Sequence, residues 1–397
     1  MLTLNQGLVE LGPRLAAARK RAGFSQDEVA LLVGQERPVI SNWESGVRRP
    51  NATQLGKLSA IYRTSLDEFL GKIQREQPDF ERLLFRDAGE RLDPRGKYEI
   101  QRFLGFLDAY GDFLEALDEP PGLLKSPLSI GEGFTAKEDI RRKAEEARNL
   151  FRLGSGPVGD LSTLADLLDI TVYRAPLGGD LKGTVSGAFL PHDRVGFSIL
   201  VNAETTPGRR QFTLAHELAH ALFHGDHLYV AYYGRREASE RFANAFAAEF
   251  LVPTQGLRST VESLGIKKVA DPEVAVHLQR YYGVSYAMML VRLRAANLVT
   301  EPDVERLRDV HPVRLAQRLG YRTDADEGPQ VPNQWGLARF PKKLLRLLLR
   351  AFEEERITVS GAATLTGVAA EEIEDFLSDD PLPEESDDEF DYLSESA

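Results

Sequence analysis

The stretch that most constrains this chain is Phe212-Thr213-Leu214-Ala215-His216-Glu217-Leu218-Ala219-His220, a His-Glu-x-x-His pattern set in an apolar helical run. On an α-helix, residues four apart share a face, so His216 and His220 can offer two imidazole nitrogens to one metal ion. Glu217 stands one step round from His216, where a general base for an activated water belongs. Leu214, Ala215, Leu218, Ala219 and Leu222 supply the apolar positions that bury such a helix.

A catalytic zinc site needs a third protein ligand and keeps its fourth position open. Asp226 follows His220 by six residues, but Phe223 stands where a glycine would have to turn the chain, and His224 falls one helical turn past the pair. Glu240 fits better. It opens a second amphipathic pattern, Ser239 to Val252, that stops before Pro253. Glu240, Asn244 and Ala247 share one face of it: a carboxylate ligand, an amide able to orient it, and a small residue permitting close approach.

Phe-Thr-Leu-Ala-His-Glu-Leu-Ala-His followed by Glu-x-x-x-Asn-x-Phe-Ala-Ala-x-Phe-Leu-Val-Pro resembles the ImmA/IrrE family of zinc metallopeptidases, over residues 136–300. The resemblance implies a gluzincin-like site, with His216, His220 and Glu240 on Zn²⁺ and Glu217 as catalytic base. Gly187 and the β-rich run 194–202 are similar to the family's short sheet, while Val252 departs from its usual Met. Mn²⁺ would tolerate the same donor set. An oxyanion beside the metal needs a donor, and His224, His227, Tyr232 and Tyr233 are the candidates within reach of the motif.

With no cysteine, the chain has no disulfide framework and no thiolate metal site, so any ion must be held by His and carboxylate. Neither a basic-then-apolar leader nor a run approaching membrane-span length is present, and a cytoplasmic protein with no membrane partner is expected. The net charge of −12 argues against a surface that binds nucleic acid everywhere. Residues 1–72 break that balance, with ten Lys or Arg against seven Asp or Glu, a net of +3.

Inside that basic segment the pattern is a string of short helices. Leu11 to Ala22 places Leu15 and Ala18 inward and Arg14, Arg19, Lys20 and Arg21 outward, and Gly23 ends it. Ser25 with Glu28 three residues on is a capping box for a second helix that ends at Gly34. Pro38 suits the first turn of a third, where Ile40 and Trp43 fall on the core spacing. Leu55 to Leu70 marks two more. Ser-Gln on the second helix and Ile-Ser-x-Trp-Glu-x-Gly-x-Arg-x-Pro across the third resemble the XRE (lambda-repressor-like) helix-turn-helix family over residues 11–70. That resemblance implies a double-stranded DNA operator as partner, a recognition helix lined by Arg37, Pro38, Val39, Ser41 and Asn42, and phosphate contacts from Gln26, Arg48 and Arg49. Arg37 suits guanine, Asn42 adenine, and Pro38 or Val39 a thymine methyl.

The expected architecture is multidomain and mainly α: a five-helix DNA-binding domain at 1–72, a helical connector at 73–135, an α+β peptidase domain with a small sheet at 136–300, a helical region at 301–378 and an acidic tail at 379–397. The connector's stripes, Phe80 to Phe85 and Ile100 to Leu114, can also serve a homodimer, whose two-fold axis would supply a second half-site. Val274–Leu298 repeats helix-turn-helix spacing, but Met288, Met289 and Leu290 suit packing rather than base reading. The tail holds nine acids and no Lys or Arg, too polar to bury a core. Two functions compete. One is a DNA-tethered endopeptidase that cleaves a repressor or its own chain in a stress or mobile-element response. The other is a regulator or antitoxin whose peptidase-like domain only senses. Glu217 favours the first, because a sensor has no chemical need for a base there.

Overall fold

A computed structural model describes residues 11–73, 92–128, 137–178, 185–224, 229–232, 238–323 and 336–378. Phe80 to Phe85, the stretch 324–332 and the acidic tail lie outside the described residues.

The chain opens with helices α1 (Leu11–Arg21), α2 (Gln26–Val33), α3 (Arg37–Glu44), α4 (Ala52–Tyr62) and α5 (Leu66–Phe69). Local chemistry sets their limits. Ser25 and Glu28 form the reciprocal capping box on α2, Gly34 ends it in the left-handed conformation (φ 69°), and Pro38 sits in the first turn of α3. Leu15, Ala18, Val29, Ile40, Trp43, Leu58 and Phe69 close a separate small core. Arg19 departs from its expected outward position. It is buried, because its guanidinium donates to both oxygens of Glu44 (2.6 and 3.0 Å) and to the carbonyl of Phe24 (2.6 Å). A buried cation is tolerated where pairing is this complete.

Then come α6 (Pro94–Ala116), α7 (Lys137–Leu150), α8 (Leu161–Leu167), strands β1 (Thr171–Ala175), β2 (Val185–His192) and β3 (Gly196–Asn202), α9 (Pro207–Phe223), β4 (Tyr229–Tyr232) and α10 (Ala238–Leu251). The strands form one sheet in the order β1-β3-β2-β4, with β1 parallel to β3 and the other pairings antiparallel. β4 lies between the two motif helices, α9 and α10, and is a strand that the sequence pattern does not predict. β3 is buried throughout because both sheet faces are covered. On one face Val172, Phe189, Phe197, Ile199 and Val201 pack with α9 and α10, and on the other Tyr173, Ala188, Leu190 and Leu200 pack with α6.

The helices α11 (Thr254–Ser263), α12 (Pro272–Tyr282), α13 (Tyr286–Ala295), α14 (Glu301–Arg308) and α15 (Pro312–Arg318) continue the first of these layers. Met288, Met289 and Leu290 of α13 are buried there, as packing residues should be. The helices α16 (Lys342–Glu353), α17 (Val359–Thr366) and α18 (Ala370–Ser378) share a core with α6. The apolar stripe of α6 is therefore spent on the sheet and on the C-terminal helices rather than presented to a second copy. Its opposite side holds the N-terminal helices. Lys97 donates to Glu28 (2.7 Å) and to the carbonyl of Gly23 (3.1 Å), Gln101 to the carbonyl of Ala22 (3.2 Å), and Arg63 pairs with Asp108 at 3.3 Å.

Candidate metal centre and nucleic-acid interface

The helix α9 is buried from Thr213 to Phe223, with its first turn at the surface. His216, Glu217 and His220 are 4%, 0% and 0% exposed, and Glu240 on α10 is 1% exposed. Four ionisable groups buried together would be costly without a compensating charge. The edges of the donor triangle are 3.3 Å from His216 Nε2 to His220 Nε2, 3.2 Å from His216 Nε2 to Glu240 Oε2, and 3.6 Å from His220 Nε2 to Glu240 Oε1. A tetrahedral ion with bonds of about 2.0–2.1 Å spans ligand pairs about 3.3–3.4 Å apart. Two nitrogens and a carboxylate at these separations, buried and convergent, fit a zinc-type ion.

The supporting contacts differ from the expected ones in one respect. Asn244 Oδ1 lies 3.2 Å from His216 Nδ1, so the amide orients the imidazole and leaves Nε2 for the ion, instead of orienting the carboxylate. His224 Nδ1 lies 3.2 Å from His220 Nδ1. Burial pushes the His224 imidazole down to about 4, against the pull of the Glu240 carboxylate, which keeps it neutral near pH 7. The pose of α10 is fixed at its far end. Arg148 donates to the carbonyl of Phe250, while Arg292 donates to that of Val252 (2.9 Å) and pairs with Glu249. Cations at a helix C-terminus satisfy its orphan carbonyls and complement its dipole.

Gly187 on β2 has a role that sequence reasoning missed. A Cβ there would come within 2.7 Å of Thr213 Cγ2, 2.8 Å of the Leu200 carbonyl oxygen and 3.1 Å of Glu217 Oε1. Only glycine lets the strand lie this close to the Glu217 carboxylate. The available signal was a glycine inside a strand pattern. Of the remaining candidates, Tyr232 ends β4 opposite Val185, and His227 and Tyr233 lie outside the described residues.

The N-terminal candidates form a second, exposed site. Arg37, Pro38, Ser41, Asn42, Arg48 and Arg49 are exposed, and Val39 is half-buried against the core. Ile40 and Trp43 are 1% and 2% exposed and serve as packing. The Gln26 amide donates to Glu44 at 2.9 Å, and Arg37 rests 3.4 Å from Asp27. Glu44 thus ties α3 to both α1 and α2, a role the sequence did not suggest. No helix among the described residues is long and apolar enough to cross a membrane.

Comparison with known proteins bears on both sites. Residues 165–294 match the family model of the IrrE N-terminal-like domain, a peptidase family, and residues 15–69 match a helix-turn-helix model. Over 135 residues the chain is 34% identical to the HTH-type transcriptional regulator ImmR of Bacillus subtilis (strain 168), a match covering 34% of this chain and 99% of ImmR. It is 37% identical over 109 residues to the radiation response metalloprotease IrrE of Deinococcus radiodurans, covering 25% of this chain and 32% of that protein. The corresponding match to IrrE of Deinococcus deserti is 37% identical over 131 residues, with 31% and 44% covered. The chain thus spans less than half the length of either IrrE protein.

Proposed function

The chain belongs to the family of helix-turn-helix regulators that includes ImmR and carries an ImmA/IrrE-type peptidase domain behind its DNA-binding helices; from that premise we propose that it is a DNA-bound zinc metalloendopeptidase whose substrate is a transcriptional repressor or its own chain. The observation that carries this reading is the buried triangle of His216 Nε2, His220 Nε2 and Glu240 carboxylate beside Glu217.

His216, His220 and Glu240 would hold the ion, and Mn²⁺ would suit the same three donors. When bound, zinc supplies a Lewis acid that polarises the scissile carbonyl and acidifies water. Glu217 takes the proton of the attacking water on its carboxylate and returns it to the departing amine. Asn244 keeps His216 in the tautomer that frees Nε2. In this reading His224, neutral and 3.2 Å from His220, is the oxyanion donor among the candidates His224, His227, Tyr232 and Tyr233.

At the other site, Arg37 and Asn42 read base edges in the major groove, with Pro38, Val39 and Ser41 around them, while Gln26, Arg48 and Arg49 hold phosphates. A homodimer supplies the second half-site through a surface other than the covered face of α6. The setting we propose is intracellular, in a stress or mobile-element response.

The test incubates metal-loaded wild type and Glu217→Gln with a panel of purified helix-turn-helix repressors and with the protein itself. Cleavage by wild type alone supports the proposal. If both proteins leave every substrate intact while DNA binding persists, the sensor reading replaces it.

A further inference from the structure

Helix α6 stands between the DNA-binding helices and the sheet, and one of its carboxylates serves both. The seam with the N-terminal helices is largely polar. Lys97 and Gln101 are 9% and 4% exposed and donate to the carbonyls of Gly23 and Ala22, and Tyr98 adds an aromatic contact to the N-terminal core. Regions with separate cores that meet through polar contacts part and rejoin more readily than those joined by an apolar interface.

Asp108 divides its carboxylate between the two regions. Its Oδ2 lies 3.3 Å from the guanidinium of Arg63, at the C-terminus of α4. Its Oδ1 lies 3.7 Å from His192 Nε2 and 3.9 Å from Arg194, where β2 turns into β3. Arg194 also donates to the Asp108 carbonyl (3.1 Å). Two glycines inside α6, each three residues from Asp108, lie under these arginines. A Cβ on Gly105 would stand 3.5 Å from Arg63 Cδ, and one on Gly111 would stand 3.0 Å from Arg194 Cβ. Arg63 itself is held in the left-handed conformation (φ 50°), strained for a residue with a Cβ. Burial alone would raise the Asp108 carboxyl, but His192, Arg63 and Arg194 hold it below its ordinary value, so it is ionised near pH 7. The hairpin that Asp108 holds leads to the metal centre: β2 also carries Gly187, where a Cβ would stand 3.1 Å from Glu217 Oε1.

We propose that Asp108 couples the DNA-binding helices to the peptidase domain, so that duplex DNA bound on α3 loosens the β2–β3 hairpin. The sign follows from charge. Residues 1–72 carry a net of +3 and the whole chain −12, which leaves −15 for the remainder. A polyanion held on the basic region repels that remainder and draws Arg63 away from Asp108. Water then screens the carboxylate more fully, and its hold on His192 and Arg194 weakens. The coupling rests on the DNA-binding reading of α1–α5 and not on peptidase activity.

The test follows amide hydrogen exchange of residues 187–200 in the full-length protein at low salt, with and without duplex DNA of arbitrary sequence, for wild type, Arg63→Ala and Asp108→Asn. DNA should speed exchange across the wild-type hairpin about tenfold, and Arg63→Ala should reach the same rate without DNA. In both variants added DNA should change hairpin exchange by less than about twofold, while gel retardation shows the duplex still bound. DNA binding that leaves the wild-type hairpin unchanged, or a DNA effect that survives Asp108→Asn, would overturn the proposal. Hairpin exchange in Arg63→Ala equal to that of wild type would do the same, even if Asp108→Asn fails to fold. A wild type that does not retain duplex DNA would overturn it together with the DNA-binding reading.

Discussion

On α3 the candidate side chains Arg37, Ser41 and Asn42 stand outward, while Ile40 and Trp43 fill the core and Val39 packs against it; on α9 the residues with chemistry, His216, Glu217 and His220, stand inward with almost no exposure. The first arrangement suits a partner that is itself an extended polyanion, met in water and weakened by salt. The second suits one ion at a fixed point, where desolvated donors act strongly and are expensive to leave uncompensated. Changes at the exposed site should therefore alter binding and spare stability. Changes at the buried site should alter chemistry, metal content and folding together.

The largest expected effect is at the ligands. His220→Ala should reduce bound metal from about one ion per chain to a small fraction and abolish peptide cleavage, read by elemental analysis and a cleavage assay. Glu217→Gln should separate chemistry from coordination, keeping the metal while lowering cleavage about 10²–10⁴-fold. Loss of metal from Glu217→Gln would erase that distinction. Gly187→Val probes the close approach of β2 to α9. Its Cβ meets the Leu200 carbonyl at 2.8 Å, a backbone atom that cannot swing away, so thermal or urea unfolding should show a loss of about 1–3 kcal/mol.

At the exposed site, Arg48→Ala should leave the unfolding midpoint unchanged, weaken all DNA sequences alike and reduce the salt slope by about one. A changed sequence preference instead would make Arg48 a base reader. The smallest effect belongs to the contact between the two regions. Burial alone would raise the Glu28 carboxyl, but hydrogen bonds from Lys97 and Ser25 outweigh it and hold the group below its ordinary value. Its contribution is present above the ordinary glutamate range and is lost as pH falls through the depressed folded value. Lys97→Met should cost about 1 kcal/mol at neutral pH, the net worth of one such contact, because Ser25 still donates to Glu28. The gap to wild type should close in acid, as followed by circular dichroism.

How much of this was legible in the sequence depended on the range of the interaction. His216, Glu217 and His220 are related by helical spacing alone, and Glu240, Asn244 and Ala247 by the face they share, so periodicity brought them into view. The hydrogen bond from His216 to Asn244 joins two helices, and spacing within either does not specify it. The burial of Arg19 escaped notice because its partner Glu44 comes from a different helix. The α6 stripe was legible as amphipathic, but a stripe does not name what covers it, and here the cover comes from the sheet and from helices far along the chain. β2 was hard to see because Gly187 and Pro191 interrupt its pattern, and α17 because its Ser-Gly-Ala-Ala run offers little apolar contrast.

The measurement that tests the account most directly is the metal content of Glu240→Ala after exhaustive dialysis, beside wild type purified in parallel. Three donors contributed by two helices predict about one ion per chain in wild type and close to none in the variant, with helical content preserved. A Glu240→Ala protein that kept a full equivalent of metal would contradict the role given to α10, and with it the site built here.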